Sequence, residues 1–223
     1  ASRGIGHAAA KAFAEAGWDL LLVSRSDAAL QSLQSELSAL GVRVVYQAID
    51  LTDSTAIAPG IETLLSQGLR PSVLINNAGL GGTRLLVEMP DEEWDRVIDI
   101  TLTGTMRMTR AMLRRMQPRG AGVIVNNASV LGWRAQKEQT HYAAAKAGVM
   151  ALTRCAAIEA AEFGVRINAV SPSIAFHEFL KKTTPTKLLE ELASREAFGR
   201  AAEVWEVANV MMFLASDYSS YMT

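Results

Sequence analysis

The sequence predicts a doubly wound α/β fold, a parallel sheet with helices on both faces. Two observations lead there. Short apolar runs of strand character alternate with stretches of helical period, and those stretches are long enough for right-handed crossovers between parallel strands. The apolar runs also lack polar alternation, as in strands buried on both faces.

The elements follow in order. A helix-like run from Gly6 to Ala16 stops at Gly17, and Asp19 to Ser24 is the first apolar strand. Leu30, Leu33, Leu37 and Leu40 recur at helical spacing before Gly41. Val42 to Ile49 reads as a strand, Ser54 to Gln67 as a helix, and Val73-Leu74-Ile75 as a third strand ending in Asn76-Asn77-Ala78-Gly79. One long helix is expected from Asp91 to Met116, stopped by Pro118 and Gly120. Val123-Ile124-Val125 is the fourth strand, Thr140 to Phe163 a helix, and Val165 to Val170 the fifth strand, broken by Ser171-Pro172-Ser173. No linker or repeat interrupts the pattern, so residues 1–223 read as one domain. The least regular stretch, 173–202, reads either as a lid over substrate or as a surface excursion.

Bulk properties narrow the function. Apolar residues are 49% and charged residues 20% of the chain, enough for a sizeable core. A formal net charge of −1 gives no electrostatic reason to expect nucleic acid or an anionic membrane. The single cysteine, Cys155, excludes an intramolecular disulfide and suits a reducing compartment; it reads as a helical packing residue. No apolar run approaches the ~20 residues of a membrane span. The expectation is a cytoplasmic protein. The chain opens inside a glycine-rich turn and closes straight after a helical segment, so material is expected to be missing at each end.

Chemistry is carried by three features. Gly4-x-Gly6 opens a helix, where unpaired N–H groups and the positive dipole end suit a phosphate. Tyr142 and Lys146 stand at i and i+4, on one helix face, and a nearby cation is expected to lower the tyrosine pKa towards the range of a general acid/base. Ser129, thirteen residues upstream at the end of the fourth strand, can share a substrate oxygen with Tyr142. The three histidines, His7, His141 and His177, show no metal-ligand spacing, so no metal is expected. His141 should face away from Tyr142, and His177 is either a substrate contact or a surface residue.

Together these residues resemble the short-chain dehydrogenase/reductase family. Ala1-Ser2-Arg3-Gly4-Ile5-Gly6 looks like the end of its glycine-rich turn. Asp50-Leu51, Asn76-Asn77-Ala78-Gly79, Ser129, Tyr142-x-x-x-Lys146 and Asn168-Ala-Val-Ser-Pro172 stand in the family's order. The resemblance covers essentially the whole chain and implies a Rossmann-like sheet, with a central first strand before Ala1 and a final strand after Thr223.

It also implies roles. Ser2, Arg3, Gly4, Ile5 and Gly6 would contact the cofactor phosphates; Asp50 and Leu51 would flank the adenine; Asn77, Ala78 and Gly79 would line the ribose side; Pro172 to Ile174 would touch the nicotinamide. Lys146 would bind the nicotinamide ribose and tune Tyr142, while Ser129 polarises the substrate oxygen. Val23-Ser24-Arg25-Ser26 lacks the carboxylate usual in NAD users, and Arg25 with Arg3 suits a 2′-phosphate, so NADP(H) is expected rather than NAD(H).

The implied reaction interconverts a ketone and a secondary alcohol. The resemblance implies carbonyl rather than enoyl reduction, since relatives that reduce enoyl groups typically separate the tyrosine and the lysine by six residues. Among carbonyl substrates the resemblance leans to 3-oxoacyl thioesters of acyl carrier protein or CoA, with hydroxysteroid-type or other alcohol dehydrogenases as the alternative. Two departures stand out. Thr101 occupies the place of an asparagine that helps hold a proton-relay water, and Ser173 stands where glycine is usual. They leave open a different class, an NADP(H)-binding sensor or structural partner without turnover. Family habit implies a homo-oligomer, dimer or tetramer.

Overall fold

In the computed structural model, residues 1–176, 180 and 186–223 are described. His177 and Lys181 to Pro185 lie outside them, and with them the central part of the expected lid. The elements are α1 (Gly4–Glu15), β1 (Leu20–Ser24), α2 (Asp27–Ser38), β2 (Val44–Ala48), α3 (Ser54–Leu65), β3 (Val73–Asn76), α4 (Asp91–Ile98), α5 (Gly104–Met116), β4 (Gly122–Asn127), α6 (Thr140–Ala161), β5 (Val165–Val170), β6 (Ala175–Phe176), α7 (Thr186–Ser194), β7 (Ala202–Glu203) and α8 (Val204–Ala215).

All strand pairings are parallel, with helices on both faces as expected. The ladders form two main blocks, β1–β2 and β3–β4–β5, and the short β6–β7 pair lies beyond them. Between the edges of β1 and β3 runs a slot of about 540 Å³, lined by Leu20 to Val23, Val73 to Asn76, Phe13 and Met112.

Each face has its own apolar layer. On one, Ile57 and Ile61 of α3, Met108, Met112 and Met116 of α5 and Ala160 of α6 pack over Ile124, Val165 and Ile167. On the other, Ala9 of α1 and Val207, Ala208, Met211 and Leu214 of α8 cover Val125 and Val170. Burying each such large side chain contributes about 1.5–3 kcal/mol, so these layers hold the strand ends in place beneath the site. A polar ladder crosses the first layer. Asn76 Nδ2 donates to Thr109 Oγ1 (3.0 Å) and to Asn126 Oδ1 (2.9 Å), and Asn126 Nδ2 donates to Thr153 Oγ1 (2.9 Å). These buried amides need partners, and they lock α5, β3, β4 and α6 into one register.

The long helix expected from Asp91 to Met116 is interrupted. Residues Asp99–Thr103 form a π turn between α4 and α5. The cause is Thr101, fully buried, whose Oγ1 accepts from Leu80 N (3.0 Å) and donates to Leu80 O (3.2 Å). Thr105 Oγ1 donates back to the Thr101 carbonyl (2.8 Å), and Gly104 N, donating to the Asp99 carbonyl, closes the wider turn. Among the described residues no helix is long and apolar enough to cross a membrane.

Candidate active site

The site lies at the carboxyl ends of β3, β4 and β5, where the strands feed into loops. Ser129 lies two residues beyond the end of β4, is buried, and its hydroxyl accepts from Leu131 N (3.2 Å). Tyr142 sits in the first turn of α6, with its hydroxyl near enough to that of Ser129 for the serine to favour the phenolate. One turn on, Lys146 is buried, with Nζ 5.5 Å from the centroid of the Tyr142 ring and 2.5 Å from the Asn127 carbonyl, to which it donates. The helical i, i+4 spacing puts Tyr142 and Lys146 on one face, and the end of β4 brings Ser129 to them.

The electrostatics differ from the sequence expectation. Burial raises the Tyr142 phenol above its ordinary value, and the Ser129 hydrogen bond pulls it down only in part. Burial also lowers the Lys146 ammonium to about 8. The Lys146 ammonium stands over the ring and is bonded to a backbone carbonyl, so in the resting site desolvation of the phenol outweighs what the neighbouring cation offers a tyrosinate. A neutral phenol is the form that donates a proton, which suits reduction of a carbonyl.

Glycines make the room a dinucleotide needs. Gly4 is left-handed (φ 54°) at the start of α1, where Arg3 provides no side-chain cap for the first-turn N–H groups. A Cβ on Gly6 would stand 2.7 Å from Asn77 Nδ2. Beside Lys146, a Cβ on Gly79 would come within 3.5 Å of Nζ, narrowing the space in front of the ammonium. Asn77 Oδ1 accepts from Asn127 Nδ2 (2.9 Å), while Asn127 Oδ1 is buried without a partner. These features fit a nicotinamide dinucleotide held between α1 and the ends of β3 and β4. Around them lie Ser2 and Ile5, partly buried, exposed Ala78, and Pro172, whose carbonyl accepts from Val130 N (3.0 Å). Ile174 O accepts from Ala202 N (2.8 Å). Arg3 and Arg25 are exposed at the rim, and Asp50, near Arg25, is held below the ordinary carboxylate range first by the Thr52 backbone N–H. Leu51 packs against the α3–α5 layer. Thr101 stands beside Gly79, but its hydroxyl is committed to Leu80, which makes it an anchor for the 80–82 loop.

Sequence reasoning missed what holds that loop. His141 is fully buried and, as expected, faces away from Tyr142, with Nε2 3.5 Å from Glu93 Oε1. Glu93 Oε2 accepts from Arg84 Nε (3.1 Å), and Gln139 Nε2 donates to Gly82 O (2.8 Å). A Cβ on Gly82 would lie 2.8 Å from Glu93 Oε1, and one on Gly81 3.4 Å from the Tyr142 ring. The only sequence signal was a histidine beside the tyrosine. Desolvation lowers the His141 pKa below its usual 6.5, with Glu93 opposing and Arg96 adding slightly. The unfolded chain then binds a proton that the fold refuses, so stability should fall as pH drops through 6.5. Thermal melts between pH 7.5 and 5.5 should show this loss, and His141→Gln should flatten it.

Over residues 1–223 the chain matches the family described as enoyl-(acyl carrier protein) reductase. It is 57% identical over 226 residues to the (5R,7aS)-5-hydroxy-7a-methyl-1-oxo-2,3,5,6,7,7a-hexahydro-1H-indene-carboxyl-CoA reductase of Mycobacterium tuberculosis, covering 100% of this chain and 86% of that protein. It is 38% identical to the 3-oxoacyl-(acyl-carrier-protein) reductase FabG of Thermotoga maritima, covering 100% of this chain and 90% of that one. A crystal structure of a short-chain dehydrogenase from Mycobacterium smegmatis superposes with a TM-score of 0.86 at 52% identity, over 99% of this chain and 84% of that one.

Proposed function

The chain belongs to the short-chain dehydrogenase/reductase family and is an oxidoreductase of the ketone and secondary-alcohol type; on that premise we propose that it is an NADP(H)-dependent reductase of a ketone carried on an acyl thioester. The single observation behind the reading is Ser129, Tyr142 and Lys146 converging at the mouth of a glycine-lined cleft. Ser2 to Gly6 would hold the pyrophosphate on the N-terminus of α1, with Arg3 and Arg25 at the 2′-phosphate. Asp50 and Leu51 would flank the adenine, and Asn77, Ala78, Gly79 and Lys146 would receive the nicotinamide ribose. Pro172 and Ile174 would border the nicotinamide.

When bound, the cofactor supplies the hydride to the carbonyl carbon. Ser129 orients the carbonyl oxygen towards the Tyr142 hydroxyl. Tyr142, kept neutral by burial, gives its proton to that oxygen as negative charge develops. Lys146 then stabilises the tyrosinate left behind. Thr101 serves by anchoring Leu80, so that Gly79 stays beside Lys146. The relative at 57% identity reduces a fused-ring acyl-CoA and that at 38% a 3-oxoacyl carrier-protein thioester, which makes a fused-ring acyl-CoA the favoured substrate class. The hydroxysteroid-type alternative shares the fused ring and lacks the thioester. A homo-oligomeric assembly in the cytoplasm accompanies this reading.

Titrating the full-length protein with NADPH and NADH, followed by fluorescence of its four tryptophans, tests the cofactor assignment. NADPH should bind at least about tenfold more tightly, and Arg25→Asp should erase the difference, because one charge-assisted arginine–phosphate contact is worth about 1.5–3 kcal/mol. Equal affinities would withdraw the NADP(H) preference. Tight binding with no turnover of fused-ring or linear 3-oxoacyl thioesters would favour the sensor reading instead.

A further inference from the structure

We propose that Glu196 is a positioning residue that clasps the two walls of the substrate cleft, gripping one through Ser173 and the other through Arg134. This rests on the functional reading above only for its kinetic consequences. One wall is the segment after Ser129, which turns through a short 3-10 helix (Val130–Gly132) and reaches Arg134. The other is Pro172 to Ile174, which leaves β5 opposite it. Glu196 belongs to neither, since it follows α7.

The contacts converge on one carboxylate oxygen. Ser173 Oγ donates to Glu196 Oε1 at 2.6 Å, and Arg134 Nη2 lies 3.4 Å from the same Oε1 and 3.4 Å from Ser173 Oγ. Their magnitudes differ. The hydroxyl–carboxylate bond is in the short range of charge-assisted bonds, and the Glu196 side chain is only 22% exposed. Arg134 is 59% exposed and its contact is long, so that ion pair contributes little by itself. Ser173 therefore carries the grip, and Arg134 mainly offsets the charge.

Backbone anchors show what the grip adds. Val130 N donates to Pro172 O, and Ala202 N donates to Ile174 O, so Ser173 lies between two pinned carbonyls. Its side chain is the third point, and three points fix the segment's orientation where two leave a hinge. Glu196 is itself held, with its N–H on Ala193 O (3.1 Å) and its carbonyl accepting from Gly199 N (2.8 Å), the latter in a left-handed turn (φ 64°). A glycine at 173 would have neither the hydroxyl nor the clasp. The serine and the glutamate, 23 positions apart, work as one device that fixes the 172–174 segment against the 130–134 segment beside Ser129.

The test combines hydrogen-exchange mass spectrometry with kinetics on the full-length protein. Glu196→Ala should raise exchange in both 130–134 and 172–175, leaving α6 unchanged. It should also raise the KM of the ketone roughly tenfold while kcat moves less than about threefold, because a loosened wall weakens binding before chemistry. Ser173→Ala should reproduce the KM effect, Arg134→Met should cause about twofold or less, and Glu196→Gln, which keeps an acceptor oxygen, should recover part of it. If Glu196→Ala does not fold, the Gln and Ser173→Ala variants decide. Exchange that changes only around residue 196, or an Arg134→Met effect larger than that of Ser173→Ala, would overturn the clasp. Absence of turnover in the unaltered protein would sink the functional reading and leave the exchange data to judge the clasp alone.

Discussion

Tyr142→Phe is expected to reduce ketone turnover by about 10³-fold while leaving NADPH affinity within about threefold. The phenylalanine keeps the ring that packs against Gly81 and under the Lys146 ammonium, and it loses only the hydroxyl that meets Ser129. The loss should therefore fall on kcat, since proton donation is needed as charge develops and not for binding. Single-turnover assays with bound NADPH measure it directly. A variant retaining more than a tenth of the activity would mean that another group supplies the proton, and the role assigned to Tyr142 would have to be abandoned.

Lys146→Met should do two opposed things, stabilise the fold and nearly abolish turnover. The ammonium is buried and donates to the Asn127 carbonyl, and burial lowers its pKa from 10.5 to about 8. A cation with a depressed folded pKa disfavours folding below pH 8, and that cost fades as pH rises towards 10.5. At pH 7 the methionine, of similar shape and uncharged, should gain about 1–3 kcal/mol, seen as a melting point several degrees higher. The unaltered protein should become relatively more stable between pH 8 and 10.5, and the variant should lack that rise. Its turnover should fall by about 10²-fold or more, because nothing then stabilises the tyrosinate. A less stable variant would show that the lysine is held by more favourable contacts than its burial suggests.

Most of the fold was legible because its signals are local. The strands Leu20–Ser24, Val73–Asn76 and Val165–Val170 announce themselves as short apolar runs, and the leucines of α2 by their helical period and the Gly41 that follows. The i, i+4 spacing of Tyr142 and Lys146 needed no more than a helix to become a site. Helix ends shifted by a residue or two, as fraying ends do. The interruption at Thr101 was not legible, since Gly104 and the threonines around it weaken helical propensity without stopping a helix; the break follows from a bond to Leu80, 21 positions away. The pKa of Tyr142 went the other way from the sequence argument because spacing reports a neighbouring charge but not the depth of burial.

Local pattern alone accounts for the alternation of strands and helices, the glycine turn at Gly4 and Gly6, and the face shared by Tyr142 and Lys146. Each depends on residues within a turn or a strand of one another, where the backbone period dictates geometry, whereas Ser129, thirteen positions before Tyr142, joins them through packing. Packing of distant segments sets the polar ladder from Asn76 to Thr153, the burial of His141 against Glu93, and the grip of Glu196 on Ser173. Those partners stand 23 to 50 positions apart and meet because the packed layers bring them together, so their pairing is a property of the folded core and not of any local pattern.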